Sequence, residues 1–118
     1  MGEDSEEVGV DTVGELLEDE YTRSILAETS NESLSAQELV DRCDASPPTI
    51  YRRINRLQEL EMLDEDQRLD PDGHHYREFS ARLDRVTIEL RDGTYDVSVH
   101  RKETDAVERF TNLYEGLR

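Results

Sequence analysis

The 118 residues hold 30 Asp plus Glu against 14 Lys plus Arg, a formal net charge of −16, and only 34% are hydrophobic. That length fits one domain with at most a short appendage, and no apolar run could span a bilayer, which excludes a membrane-embedded protein. A single cysteine, Cys43, excludes a disulfide framework.

Residues 1–10 are acidic and aperiodic, and are expected to form a disordered tail. From Asp11 the apolar residues Val13, Leu16, Leu17, Tyr21, Ile25 and Leu26 recur at helical spacing, with Asp19 and Thr22 placed to restart the helix after a kink near Glu18. The run 29–33, Thr-Ser-Asn-Glu-Ser, reads as a loop. Ser35 and Glu38 then make a capping box, with Leu34 and Leu39 at the positions of a hydrophobic staple. Leu39, Val40 and Cys43 share one face of the helix that follows. Residues 44–46 are a short turn, Ser46 caps the next helix, and Pro47 stands at its first position, where a missing N–H costs nothing.

After Met62 the period changes from helical to alternating. Asp70-Pro71-Asp72-Gly73 marks a turn between two extended segments. Val86, Ile88 and Leu90 alternate with Arg85, Thr87 and Glu89. Asp92-Gly93 turns the chain, and Tyr95, Val97 and Val99 alternate on the return. Ala106, Val107, Phe110, Leu113, Tyr114 and Leu117 then repeat at three and four residues, predicting an amphipathic helix. Two capped helices joined by a short turn and followed by a hairpin describe an α+β fold, a winged helix-turn-helix. The predicted organisation is a tail over 1–10, a winged helix-turn-helix over 11–80, and an additional β-hairpin with a C-terminal dimerisation helix over 81–118.

The helix at 47–62 carries the strongest chemistry. On a wheel of 100° per residue, Ile50, Ile54 and Leu57 form its inner stripe, Arg52 and Asn55 lie opposite, and Tyr51 and Arg56 flank them. Arg can bond guanine O6 and N7, and Asn can bond adenine N6 and N7, each through two hydrogen bonds. Arg52, Asn55 and Arg56 are therefore the candidate base readers, with Pro48 placed to touch a thymine methyl. Ser46, Thr49, Tyr51 and Arg53, together with the helix N-terminus, are the candidate phosphate contacts. A stripe of charge is most often simply solvated. Here, however, Arg52 and Arg56 are like-charged i, i+4 neighbours, unfavourable without a partner. The hairpin at 63–80 is the candidate wing, with Arg68, His74, His75 and Arg77 near its tip or on its strands and with Tyr76 and Phe79 expected to anchor it in the core. Asp70 and Asp72 at the tip should repel phosphate, so the tip stands clear or binds through cations.

Residues 39–63 followed by 70–79 resemble the winged-helix transcription regulators of haloarchaea, related to the ArsR and PadR-like groups. The resemblance spans residues 14–101 and is carried most specifically by the Pro-Thr-x-Tyr-Arg-Arg-x-x-Arg-Leu run. It implies a dimer that binds double-stranded promoter DNA, with residues 47–56 on the recognition helix. The chain lacks the Cys-x-Cys pair of metal-sensing ArsR proteins, which disfavours a metal inducer. Its composition points to the same source: Lys102 is the only lysine, and acid-rich, lysine-poor surfaces resemble those of salt-in halophiles. At about 1 M salt the screening length is about 3 Å, so self-repulsion fades and contacts at hydrogen-bond range persist.

Phe110, Leu113, Tyr114 and Leu117 are the expected dimer interface, with the first helix contributing. A twofold dimer would present two recognition helices about one DNA turn apart. Bound salt cations at the DNA interface are an expected adaptation. No cofactor, metal centre or catalytic motif emerges, so an enzyme is not expected. Cys43 reads as packing rather than a redox switch, the adjacent His74 and His75 should point to opposite faces of a strand, and His100 should face solvent. The chain has no secretory leader or lipidation signal, which predicts a cytoplasmic protein. The rival reading is a winged-helix module that docks on the transcription machinery without touching DNA; the net charge favours it, and the Arg/Asn face disfavours it.

Overall fold

The computed structural model describes residues 8–103. The expected interface residues Phe110, Leu113, Tyr114 and Leu117 lie outside the described residues, as does most of the acidic tail. Val8 is buried at 2% exposure, so the packed structure begins inside the stretch expected to be a tail.

The elements run α1 (Val10–Glu18), α2 (Glu20–Asn31), β1 (Leu34–Ser35), α3 (Ala36–Cys43), α4 (Pro47–Glu59), β2 (Leu63–Leu69), β3 (His75–Ala81), β4 (Leu83–Arg91) and β5 (Thr94–Arg101). Asp19 separates the first two helices as expected. Its carboxylate accepts from the Thr22 backbone N–H and from the Thr22 hydroxyl, both at 2.8 Å. α2 runs on to Asn31, three residues into the predicted loop. Thr29 is buried there, and its hydroxyl donates to the Ile25 carbonyl at 2.6 Å, so a residue read as loop-forming sits satisfied inside a helix.

The capping box at Ser35 and Glu38 is present in both directions, at 2.8 and 3.2 Å. Leu34 and Leu39 are both buried, and Asp44 takes the left-handed conformation that ends α3. Arg42 ties α3 to α2 through Glu28 and Glu32, at 3.0 and 2.9 Å.

Two antiparallel sheets follow. In the first the order is β1-β3-β2, with Leu34 opposite Phe79 and Glu65 also opposite Phe79. β4 and β5 pair with each other, and no third strand joins them among the described residues. Asp92 and Gly93 both have positive φ, 51° and 80°, the conformation required at both corners of a tight two-residue hairpin turn.

One core joins all of this. Ile25, Leu39, Ile50, Ile54, Leu57, Met62 and Phe79 are buried within it, and Val86, Val97 and Val99 pack against its edge. Leu17 departs from the predicted apolar face and is 42% exposed. Tyr76, expected to anchor the wing in the core, is 39% exposed, while Phe79 alone fills that role. His100 is half-buried rather than solvent-facing.

The base of the β4–β5 hairpin is fixed to the C-terminal end of α4. Arg101 donates to the carbonyls of Leu60 and Glu61 at 2.8 and 3.0 Å, where the helix leaves its acceptors unsatisfied. Arg82 adds an ion pair to Glu61 at 3.2 Å. No helix among the described residues is long and apolar enough to cross a membrane.

Candidate nucleic-acid interface

α4 follows α3 across the three-residue turn at 44–46, and its inner stripe of Ile50, Ile54 and Leu57 is buried at 0–1% exposure. Burying that stripe turns the opposite face outward. Pro48, Tyr51, Arg52, Asn55 and Arg56 are all exposed, and Thr49 is half-buried. Among the described residues Arg56 makes only a long contact to Glu59, at 3.7 Å. Arg52 and Asn55 have no hydrogen-bond or ion-pair partner among the described residues. This face carries two guanidinium groups and a carboxamide pointing into solvent, the donor set that suits purine edges in a major groove.

The helix N-terminus itself differs from expectation. Pro47 and Pro48 have no N–H, and the first available amide, that of Thr49, donates to the Ser46 hydroxyl at 3.3 Å. The Ser46 hydroxyl also donates to Thr49 Oγ1 at 3.0 Å. The end of α4 therefore offers no free backbone amide to an anion, and Ser46 acts as a cap.

Arg53 is also committed within the protein. Its Nε and Nη2 donate to the two oxygens of Asp19 at 2.9 and 3.0 Å, and its guanidinium lies 6.0 Å from the Tyr21 ring centroid. The hydrogen bonds from Arg53 hold the Asp19 carboxyl far below the usual carboxylate range. Burial opposes this, and the two Thr22 bonds reinforce it. Arg53 is thus a strut between the α1–α2 junction and α4 rather than an available phosphate contact.

The pair has a testable pH signature. The folded Asp19 pKa lies below the unfolded value of about 3.9, so the pair stabilises fully above about pH 4 and is lost as pH falls toward the folded pKa. Asp19→Asn keeps a competent cap and removes the charge. It is expected to lower stability by about 1 kcal/mol at pH 7, since the pair is partly solvated. In urea titrations the gap between wild type and variant should stay constant from about pH 7 to 5 and narrow below about pH 4. A gap that widened in acid would refute the assignment.

The wing stands beside this face, and its arginines are paired across the strands. Arg77 bonds Glu65 at 3.1 Å and lies 5.3 Å from the Phe79 ring centroid. Arg68 bonds Glu78 at 3.0 Å and Asp66 at 3.3 Å. Both keep nearly half of their side-chain surface in solvent. His75 is exposed, and His74 lies beyond the strand, 79% exposed, with Nδ1 3.6 Å from Asp70. At the tip, Asp70 accepts from the backbone amides of Asp72 and His74 at 2.9 and 2.8 Å, and Gly73 turns with φ 88°. Asp70, Asp72 and His74 bring three donor atoms within 4.8 Å of one another, an exposed set that could hold a cation. The expectation that His74 and His75 lie on opposite faces of one strand is replaced by this grouping, because β3 starts only at His75.

Between α4 and the wing lies a cleft of about 300 Å³, lined by Ser35, Ala36, Gln37, Tyr51, Tyr76, Arg77 and Phe79. Tyr51 and Tyr76 reach it from opposite sides and are exposed, and Gln37 comes from the first turn of α3. Two tyrosines line this groove with Gln37, whose amide donates to Asp41 at 3.3 Å, and with Arg77, which is paired with Glu65; tyrosine hydroxyls are among the groups that contact backbone phosphates. Gln37 and Tyr76 were missed in the sequence reading. Counting along β3 would have placed Tyr76 off the core face, since it lies three positions before buried Phe79 and side chains alternate.

Cys43 is half-buried, and burial pushes its thiol pKa up, with Glu28 adding to the shift. The neutral thiol is favoured, which agrees with packing rather than redox sensing.

Residues 17–66 match the family model described as a helix-turn-helix domain. The match takes in α2, α3, the turn and α4 in full and ends partway along β2, so it covers α4 and the helices that support it. No curated protein matches the chain.

Proposed function

We propose that the protein is a sequence-specific DNA-binding regulator of transcription. In this reading a homodimer reads a pseudo-palindromic promoter site through α4 and touches flanking backbone with the wing. Arg52, Asn55 and Arg56 read bases, and Pro48 adds apolar contact. Tyr51 and Thr49 position the helix on phosphates, and Tyr76 and Gln37 join them across the cleft. Arg68, Arg77, His74 and His75 serve the wing. The observation that carries the reading is the outward Arg52, Asn55 and Arg56 face on the second helix of a matched helix-turn-helix domain.

The acidity fits cytoplasmic work at high salt, and the resemblance to haloarchaeal regulators extends the reading to a stress response, oxidants in particular. Repression would follow from occluding a promoter. One observation favours a second reading: a net charge of −16 suits a winged helix that docks on a basic protein partner of the transcription machinery.

Fluorescence anisotropy on genomic fragments, in KCl from ~0.5 to ~3 M, separates them. The expected result is site-selective binding with a shallow or inverted salt slope, because acidic groups near phosphate take up cations while arginines release them. A steep negative slope overturns the salt adaptation. No binding at any salt overturns the DNA reading in favour of the docking module.

A further inference from the structure

The β4–β5 hairpin has an apolar face that changes character along its length. Val86 and Val99, near the base, and Val97, the next inward residue along β5, pack against the domain core. Farther out, Ile88, Leu90 and Tyr95 are 48%, 63% and 57% exposed, and nothing among the described residues covers them. The register puts Ile88 opposite Val97 and Leu90 opposite Tyr95, so the three exposed side chains form one continuous strip. Two strands alone are marginal in water and need a third strand or a helix against their apolar face.

Charge is distributed to match. Residues 83–118 hold eight acidic and six basic side chains, a balance of −2, while residues 1–82 carry the other −14. Two copies of so acidic a chain repel least where this near-neutral third of each meets the other.

The chain beyond the described structure supplies a cover. It leaves the hairpin at its base, where the Lys102 amide donates to the Arg82 carbonyl at 2.7 Å, and 15 residues follow from Thr104. The apolar repeat from Ala106 to Leu117 would span about 17 Å as a helix. The exposed strip lies about 13–20 Å out from the base, counting strand residues at about 3.3 Å each. In the same chain, the first turns of such a helix would fall over Val86 and Val99, a stretch already occupied by the core, and only its last apolar residues would reach the strip. From a second copy the whole repeat can lie on it.

We infer that the outer half of the β4–β5 hairpin is the seat for residues 106–117 of a second copy, so that each protomer's Ile88, Leu90 and Tyr95 are covered by its partner. The inference rests on the paired regulator proposed above and names the surface that pairs. It also gives the pairing a geometric consequence. Because Arg101 locks the hairpin base to the end of α4, joining two hairpins fixes the separation of two reading helices.

The test is sedimentation velocity at ~2 M KCl on the full chain, with circular dichroism as a check on folding, for wild type and the Leu90→Glu, Tyr95→Glu double variant. Expected is a wild-type dimer and a folded double variant whose dimer dissociation constant rises at least about 100-fold. A wild-type dimer that the folded double variant retains overturns the hairpin seat and leaves the paired reading standing. A wild-type monomer at all concentrations overturns both. Should the variant not fold, disulfide trapping decides. Leu90→Cys with Phe110→Cys, in a Cys43→Ala background, should give a cross-linked dimer on oxidation. A cross-link within one chain, or none, overturns the proposal.

Discussion

Removing the guanidinium groups of Arg52 and Arg56 together is expected to weaken binding to a site-bearing duplex by about 10²–10⁴-fold at fixed salt, from about 1–3 kcal/mol for each base-reading arginine. Both side chains are exposed and neither holds another element in place. The loss should therefore come without a change in melting temperature, and anisotropy and thermal denaturation on one preparation would check both halves. Arg53→Ala should behave in the opposite way, lowering stability first, because its partner is Asp19. If the double variant bound as tightly as wild type, α4 would not be the reading element.

Phe79→Ala is expected to have the largest effect on stability, about 3–5 kcal/mol, which corresponds to a fall in melting temperature of about 15–30 °C for a domain of this size. Phe79 is 1% exposed and stands in the central strand, opposite Leu34 on one side and Glu65 on the other. Its removal leaves a void beneath the wing and strips the ring under Arg77. A drop of only a few degrees would mean that the wing is held chiefly by its ion pairs.

Much of the helix-turn-helix was legible because its signals are local. The Ser35 and Glu38 box, the Ser46 cap and the 3–4 spacing of Ile50, Ile54 and Leu57 lie within a few residues of one another, and the backbone follows them. The outward face of α4 followed by subtraction from its buried stripe. Arg53 was misjudged because its partner, Asp19, is 34 residues away and no local pattern announces it. The α4 N-terminus was misjudged for a simpler reason: a second proline, Pro48, removes another donor, and an anion site needs donors rather than a dipole alone. The cleft between Tyr51 and Tyr76 depends on how α4 meets β3, which is tertiary information. Leu17 and Tyr95 fit apolar patterns yet stay exposed, because periodicity tells which side chains share a face and not whether that face is covered.

The wing arginines are held by Glu65, Asp66 and Glu78. In the proposed complex, a phosphate reaching Arg68 or Arg77 would compete with a carboxylate already there for the guanidinium's donors, so each encounter would be partly a substitution. An arbitrary duplex offers little advantage over the resident acid. In the proposed function, a correct site would add the base contacts of α4 and tip the exchange. A protein wired in this way should spend little time captured on random sequence. It would trade tight generic adhesion for rapid turnover among sites.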